Sequence, residues 1–263
     1  MAVLNTSNRA GASGQGAGGG GGASSFYDYQ IPYALKLTRS PSSSGGTNGS
    51  GFNKAGQAYP NTSTCVYWTL SFWIKKTLAT DEYGPIDGGT FYQTICNNIE
   101  NHGGKGLYFT YGSGASNADI IQYRASSSTS FDPSGQISQS SNFPLGVNQA
   151  HPAHYFGLFL NGHGHTEGNS YGTQGIVAET IIRHSISGDT IANYGFLKNG
   201  VWVPRDPTDS SYINSTFGSE GLWFKYADSS NLGLDSSGNG NNLDTVNLSA
   251  DNQVIDTPTN DGS

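Results

Sequence analysis

The clearest pattern in the chain is strict alternation. In CVYWTLSFWIKK, residues 65–76, Val66, Trp68, Leu70, Phe72 and Ile74 fall on one face. Tyr67, Thr69, Ser71, Trp73 and Lys75 fall on the other. A period of two belongs to a strand with one face in a core. β-branched and aromatic residues suit such a pleated surface. Further runs read as strands: FYQTIC (91–96), GLYFTY (106–111), DIIQYR (119–124), HYFGLFL (154–160), GIVAETIIRHSI (175–186) and GLWFKY (221–226), with ALKL (34–37) a shorter one. Turn-rich stretches separate them, such as SPSSSGGTNGSG (40–51), RASSSTSFDPSG (124–135) and NGHGHTEGNSYG (161–172). The one helical turn expected lies near DTIANYGF, 189–196. Many short strands and almost no helix predict an all-β fold of antiparallel sheets. The chain length and long loops favour a jelly-roll double sheet over a small closed barrel. No fixed-period repeat points to a propeller or β-helix.

The two ends break this pattern differently. Residues 10–25, AGASGQGAGGGGGASS, read either as a flexible linker or as an arm that orders against a neighbouring subunit. Residues 233–260, GLDSSGNGNNLDTVNLSADNQVIDTPTN, hold isolated apolar residues, Val246, Leu248, Val254 and Ile255, and Pro258 ends strand pairing. That spacing predicts a strap laid over its own sandwich or over the next subunit. The expected division is a Gly-rich arm over 1–25, a sandwich over 26–228 and an Asx/Gly-rich strap over 229–263.

Composition narrows the setting. The chain has 263 residues, long enough to bury a sizeable core. Only 12% are charged, about half the usual share. Its polarity comes from Ser, Thr, Asn and Gly, which is the surface of a durable, loop-rich protein exposed outside a cell. A net charge of −7 with no Lys/Arg run lacks the footprint of a nucleic-acid binder. It equally disfavours anionic lipid headgroups. No run approaches the roughly 20 apolar residues of a membrane span, and MAVLNTSNRA lacks the basic and apolar regions of a signal peptide. Synthesis in a cytoplasm is expected, with exit by cell lysis. Cys65 and Cys96 fit two buried thiols or one disulfide between neighbouring strands, and their spacing does not choose.

Two sets of motifs carry a family resemblance. WTLSFWIKK (68–76) resembles the early strand of concanavalin A-like, laminin-G-like sandwiches, with their T-x-S-x-W-x-K pattern, and ALKLTRS (34–40) matches the strand before it. The succession GIVAETIIRHSISG (175–188), GVWVPRD (200–206), GSEGLWFKYADSSNLGLDSSGNGNNL (218–243) and DNQVIDTPTN (251–260) is similar to a group of uncharacterised structural proteins of tailed, often marine, bacteriophages. The likeness spans residues 31–260, and the middle, 85–170, departs from it: AHYFGLFLNG (153–162) only faintly echoes the usual strand pair there. The resemblance implies an antiparallel jelly-roll, concanavalin A-like β-sandwich with extended N- and C-terminal arms. It implies a non-enzymatic virion structural protein at the virion surface, either a capsid decoration or fibre or a tail-fibre component. Its partners would be other virion proteins and its own copies, as a homo-oligomer, with trimers common among fibres. The alternative is a carbohydrate-binding adhesin that recognises a host cell-surface glycan.

Candidate chemistry follows from residue types. Glycoside hydrolysis needs paired carboxylates about 5–5.5 Å apart for retention. Glucanases of the resembled fold place them as E-x-D-x-x-E, and none of Glu82, Glu100, Glu167, Glu179 and Glu220 has an Asp two positions on. Cys65 and Cys96 sit in apolar runs with no base beside them. No enzyme is therefore expected. His163 and His165, with Glu167, would point one way on an extended strand. At a trimer axis they could gather a metal, but Gly-flanked histidines in a loop favour solvated imidazoles. Asp228, Asp235, Asn239 and Asn241 offer hard oxygens that suit calcium. They equally suit Asx-rich turns that bond to their own backbone. Trp73, Trp202 and Trp223 are candidate sugar-stacking platforms, whereas Trp68 is assigned to the core.

Overall fold

A computed structural model describes residues 26–38, 49–55, 68–76, 91–99, 105–111, 120–124, 155–160, 170–184, 189–211 and 216–260. Its strands are β1 (Ala34–Leu37), β2 (Gly51–Ala55), β3 (Trp68–Lys76), β4 (Phe91–Ile99), β5 (Lys105–Tyr111), β6 (Ile120–Arg124), β7 (Tyr155–Leu158), β8 (Ser170–Gly172), β9 (Gly175–His184), β10 (Gly195–Lys198), β11 (Val201–Pro204), β12 (Leu222–Phe224), β13 (Asp244–Val246) and β14 (Gln253–Val254). Among the described residues there is no α-helix. The turn expected near 189–196 is a single 3-10 turn at Ile191–Asn193.

Two antiparallel sheets carry the fold. In the first, β9 is central. β3 lines one of its edges, while β1 and β12 lie end to end along the other, with β14 beyond β1. The second runs β13-β2-β7-β4-β5-β6, and β8 joins β4 in parallel. Leu35, Phe52, Leu158, Val177, Ile182 and Phe224, drawn from both sheets, meet in the main core. The alternation of β3 is realised: Leu70, Phe72 and Ile74 pack on that core, and Trp73 packs on the opposite side with Ile31, Ala34 and Ala178. β9 is covered on both faces and buried almost throughout, its polar Glu179, Thr180, Arg183 and His184 included.

β9 contains a bulge. Ser71 faces Ile181 and Trp73 faces Ala178, so two steps on β3 meet three on β9. The extra residue falls at Glu179–Thr180, and Glu179 adopts φ 47. The bulge resets which side chains face the core. Thr180 and Ile182 point inward, with the Thr180 hydroxyl bonded to the buried Tyr226 hydroxyl at 2.6 Å. Ile181 and Arg183 point to the outer face. That face is not bare. The segment 26–33, the excursion 189–211 and Phe217 cover it.

The strap belongs to the sandwich. β13 pairs with β2 at the edge of one sheet, β14 pairs with β1 at the edge of the other, and Leu232 and Leu243 are buried in the core between them. The division at 228 therefore separates no independent layer. β13 and β14 thus cover β2 and β1 with edge strands of only three and two residues, and short edges offer little template for association. The arm over 1–25 lies outside the described residues.

The sequence reading missed β2, β8, β10, β11, β13 and β14. Most are too short to show a period. The β10–β11 hairpin had a readable signal, Asn199-Gly200, whose φ values of 52 and 81 are what a tight two-residue hairpin turn requires. Cys96 is buried in β4, and Cys65 lies outside the described residues.

Candidate functional site

The Asx-rich stretch is organised by Asp235. Its Oδ1 accepts the amides of Trp223 and Ser237, each at 2.9 Å. Its Oδ2 accepts the Asn241 amide at 2.9 Å and the Ser237 hydroxyl at 2.7 Å. Asn239 Nδ2 donates to the carbonyls of Gly218 (2.6 Å) and Gly221 (2.9 Å). Asn241 Nδ2 donates to those of Ser219 (3.0 Å) and Gly221 (2.8 Å). The loop is thus tied to the turn that leads into β12. That turn demands glycine, since a Cβ on Gly221 would lie 1.9 Å from the Phe217 carbonyl oxygen. Asp228 serves a different turn: it accepts the Ser230 amide (2.9 Å) and hydroxyl (2.6 Å), which hold its carboxyl below the usual range. These bonds bring Asp235, Asn239 and Asn241 together and leave Asp228 apart. The Asp228–Ser230 and Asp235–Ser237 bonds are Asx-turn bonds, whereas Asn239 and Asn241 reach carbonyls of the distant turn before β12.

Farther on, the strap fastens the start of the described chain. Thr259 Oγ1 accepts the Ile31 amide at 2.8 Å and donates to its carbonyl at 3.1 Å. Asn252 Nδ2 donates to the Lys36 carbonyl and Gln253 Nε2 to that of Tyr226.

The three candidate tryptophans separate cleanly. Trp223 is 3% exposed and stacks on Phe217 with centroids 5.6 Å apart, while Lys225 Nζ stands 3.9 Å from its ring centroid. A ring so enclosed offers no face to a sugar, which corrects the expectation from sequence. Alternation alone could not foresee the second layer on the outer face of the first sheet. Trp73 is half-buried against the outer-face cluster. Trp202 is exposed at 38%. Its indole lies across Gly195, where a Cβ would come within 2.7 Å of the ring. Leu197, its cross-strand partner, is 68% exposed. The hairpin's other side is anchored by buried Val203 and by Phe196 beneath the Arg205 guanidinium. His163 and His165 lie outside the described residues.

The outer face also holds buried charge that the sequence did not announce. The Arg183 guanidinium sits between the rings of Tyr194 and Phe217, at 5.3 and 5.4 Å. It donates to the Pro207 carbonyl at 2.8 Å and lies 3.7 Å from Asp189, which also receives the Tyr194 hydroxyl and Asn193 Nδ2. Buried charges persist when paired in this way. Here they pin the 189–211 excursion to β9.

Glu179, which the sequence offers only as one of five glutamates without an Asp two positions on, is 4% exposed. The Tyr29 hydroxyl donates to it at 2.5 Å. Burial pushes its carboxyl up to about 8; the Tyr29 bond works against that rise, Asp206 adds to it, and Lys225 opposes it more weakly. Trp223 Nε1–H is buried without a well-formed hydrogen bond, yet faces the carboxyl closely enough to favour its ionised form. Burial, then Glu179, raises the Tyr29 hydroxyl well above its usual range.

The sequence does contain one nucleophile-like spacing, GNSYG (168–172). A G-x-S-x-G serine is set on a strand-to-helix turn. Ser170 instead opens β8, a strand paired with β4, and strand β9 follows. Comparison with models of protein families, with curated proteins and with solved structures gives no match to the chain.

Proposed function

We propose that the chain is a non-enzymatic structural protein of a phage virion, a capsid decoration or fibre or a tail-fibre component. Its body would be a jelly-roll, concanavalin A-like sandwich used for assembly and surface display among other virion proteins and its own copies. One observation carries this reading. The stretch with the most specific phage-like sequence, 218–260, uses its polar side chains to hold its own chain: Asp235, Asn239 and Asn241 on the β12 turn, Asn252 on β1, Thr259 on Ile31. A distinctive motif devoted to internal fastening fits a protein selected to persist in a particle. The charge-poor surface fits the same role. Immunogold electron microscopy of particles from the source lysate, with antibody raised against this chain, tests it. Gold on particles is the expected result, and label confined to particle-free fractions would refute the reading.

A second reading, a virion adhesin that binds a host glycan, is favoured by Trp202. A flat indole held open on a hairpin is the kind of surface on which a sugar ring stacks. Glycan-array binding that survives in the wild type and vanishes in Trp202→Ala would support it. An array with no bound glycan would remove it.

A further inference from the structure

The geometry points to a proton-operated latch: with Glu179 protonated, the segment 26–33 lies docked through Tyr29 on the outer face of the first sheet, and loss of that proton releases the segment.

Position is the first argument. Glu179 occupies the bulge where β1 hands over to β12 along the edge of β9. Its φ of 47 is a conformation that glycine adopts without strain and glutamate does not. The same side chain is also a carboxyl buried at 4% exposure. A residue unfavourable on both counts at one bulge needs a compensating role, and its hydrogen bond goes to Tyr29.

The second argument is how the segment is held. Residues 26–33 form no strand. Tyr29 bonds to Glu179, Ile31 bonds to Thr259, and Asp28 pairs with Lys198 at 2.8 Å on the surface. Of these polar contacts, that of Tyr29 is the one made to a side chain of β9, and it lies beside the packing of Ile31 on Ala34 and Ala178.

The third argument is linkage. Tyr29 faces Glu179 from the segment, Asp206 acts on it from the loop after β11, and Lys225 from the residue after β12. Ser71–Trp73 of β3 and Ala34 of β1, its sheet neighbours, carry no ionisable side chain. Ionising the carboxyl in place leaves a buried anion near Asp206, whereas lifting the segment lets water reach it. The docked state therefore binds the proton more tightly than the open one, about 8 against an ordinary 4.5. Opening is favoured as pH rises through that window and levels off above it. Tyr29, raised far above its usual range, keeps its proton throughout.

Hydrogen–deuterium exchange of the full chain tests the latch, with wild type and Glu179→Gln compared at each pH so that intrinsic exchange rates cancel. The expected result is a wild-type to variant ratio at residues 26–33 that grows by up to tenfold per pH unit from about pH 5 to 8 and then flattens. Protection at β3 and β9 should stay well above that at 26–33 at every pH, because those strands exchange only on wider unfolding, and equal protection in the two places would also overturn the latch. A ratio at 26–33 that does not change with pH overturns the proposal. Should Glu179→Gln fail to fold, Tyr29→Phe replaces it. That variant should lose protection at 26–33 already at pH 6 while β9 keeps its own, and unchanged protection at 26–33 overturns the latch equally.

Discussion

Thr259 and Ile31 close the described chain on itself. One buried threonine hydroxyl accepts the isoleucine amide and donates to its carbonyl across 228 residues of sequence. Thr259→Val keeps the shape and removes both bonds, leaving a buried amide and carbonyl without that partner. Each such loss costs about 1–3 kcal/mol. The expected outcome in urea denaturation is a stability drop of about 2 kcal/mol. An unchanged midpoint would mean that the strap contributes nothing at this point.

Asp235 should be more sensitive still. Asp235→Ala removes an acceptor from the amides of Trp223, Ser237 and Asn241 at once. A loss of about 3 kcal/mol is expected, accompanied by higher exchange at β12 and in the 236–242 loop. Asp228→Ala, whose bonds stay within one exposed turn, should cost under about 1 kcal/mol. Equal losses for the two would show that the hub geometry is not what matters.

Global stability should also respond to pH through Glu179. Its carboxyl is raised in the folded chain, from 4.5 to about 8. A raised group contributes stability that is whole below the unfolded value and declines as pH climbs toward the folded one. Between pH 4.5 and 8 the wild type should lose stability through this residue until release of residues 26–33 relieves the buried charge. Glu179→Gln should flatten the curve in that window. Thermal melts across pH 4 to 9 check the sign, and a wild type that gains stability over this range through Glu179 would contradict it.

Trp202 in β11 and Trp223 in β12 should part company. Trp223→Ala empties a buried, stacked position and should cost about 3–5 kcal/mol. Trp202→Ala removes an exposed ring and should cost under about 1 kcal/mol. Parallel chemical denaturation separates them, and a large loss at Trp202 would make that ring structural.

The sequence made some of this legible and hid the rest for physical reasons. β3 was readable because one face meets the core and the other does not, so Leu70, Phe72 and Ile74 alternate with Ser71 and Trp73. β9 was readable as a strand, yet its bulge was not. Burial on both faces erases the period, and nothing in AETII marks where an extra residue sits. Glu179 looked solitary because its partners come from residue 29 at one end and from 206, 223 and 225 at the other. Trp202 and Trp223 each sit in a short apolar run. What separates them is a second layer over one sheet face, and no local pattern encodes that.

Order of synthesis gives the strap a last consequence. β13 and β14 leave the ribosome after β1 and β2, the edges they complete, and Thr259 emerges after everything it ties down. Until then the nascent sandwich presents unpaired edges of both sheets, the surfaces through which partly made chains associate. Closure of these two edges is therefore a late event in the folding of the sheets.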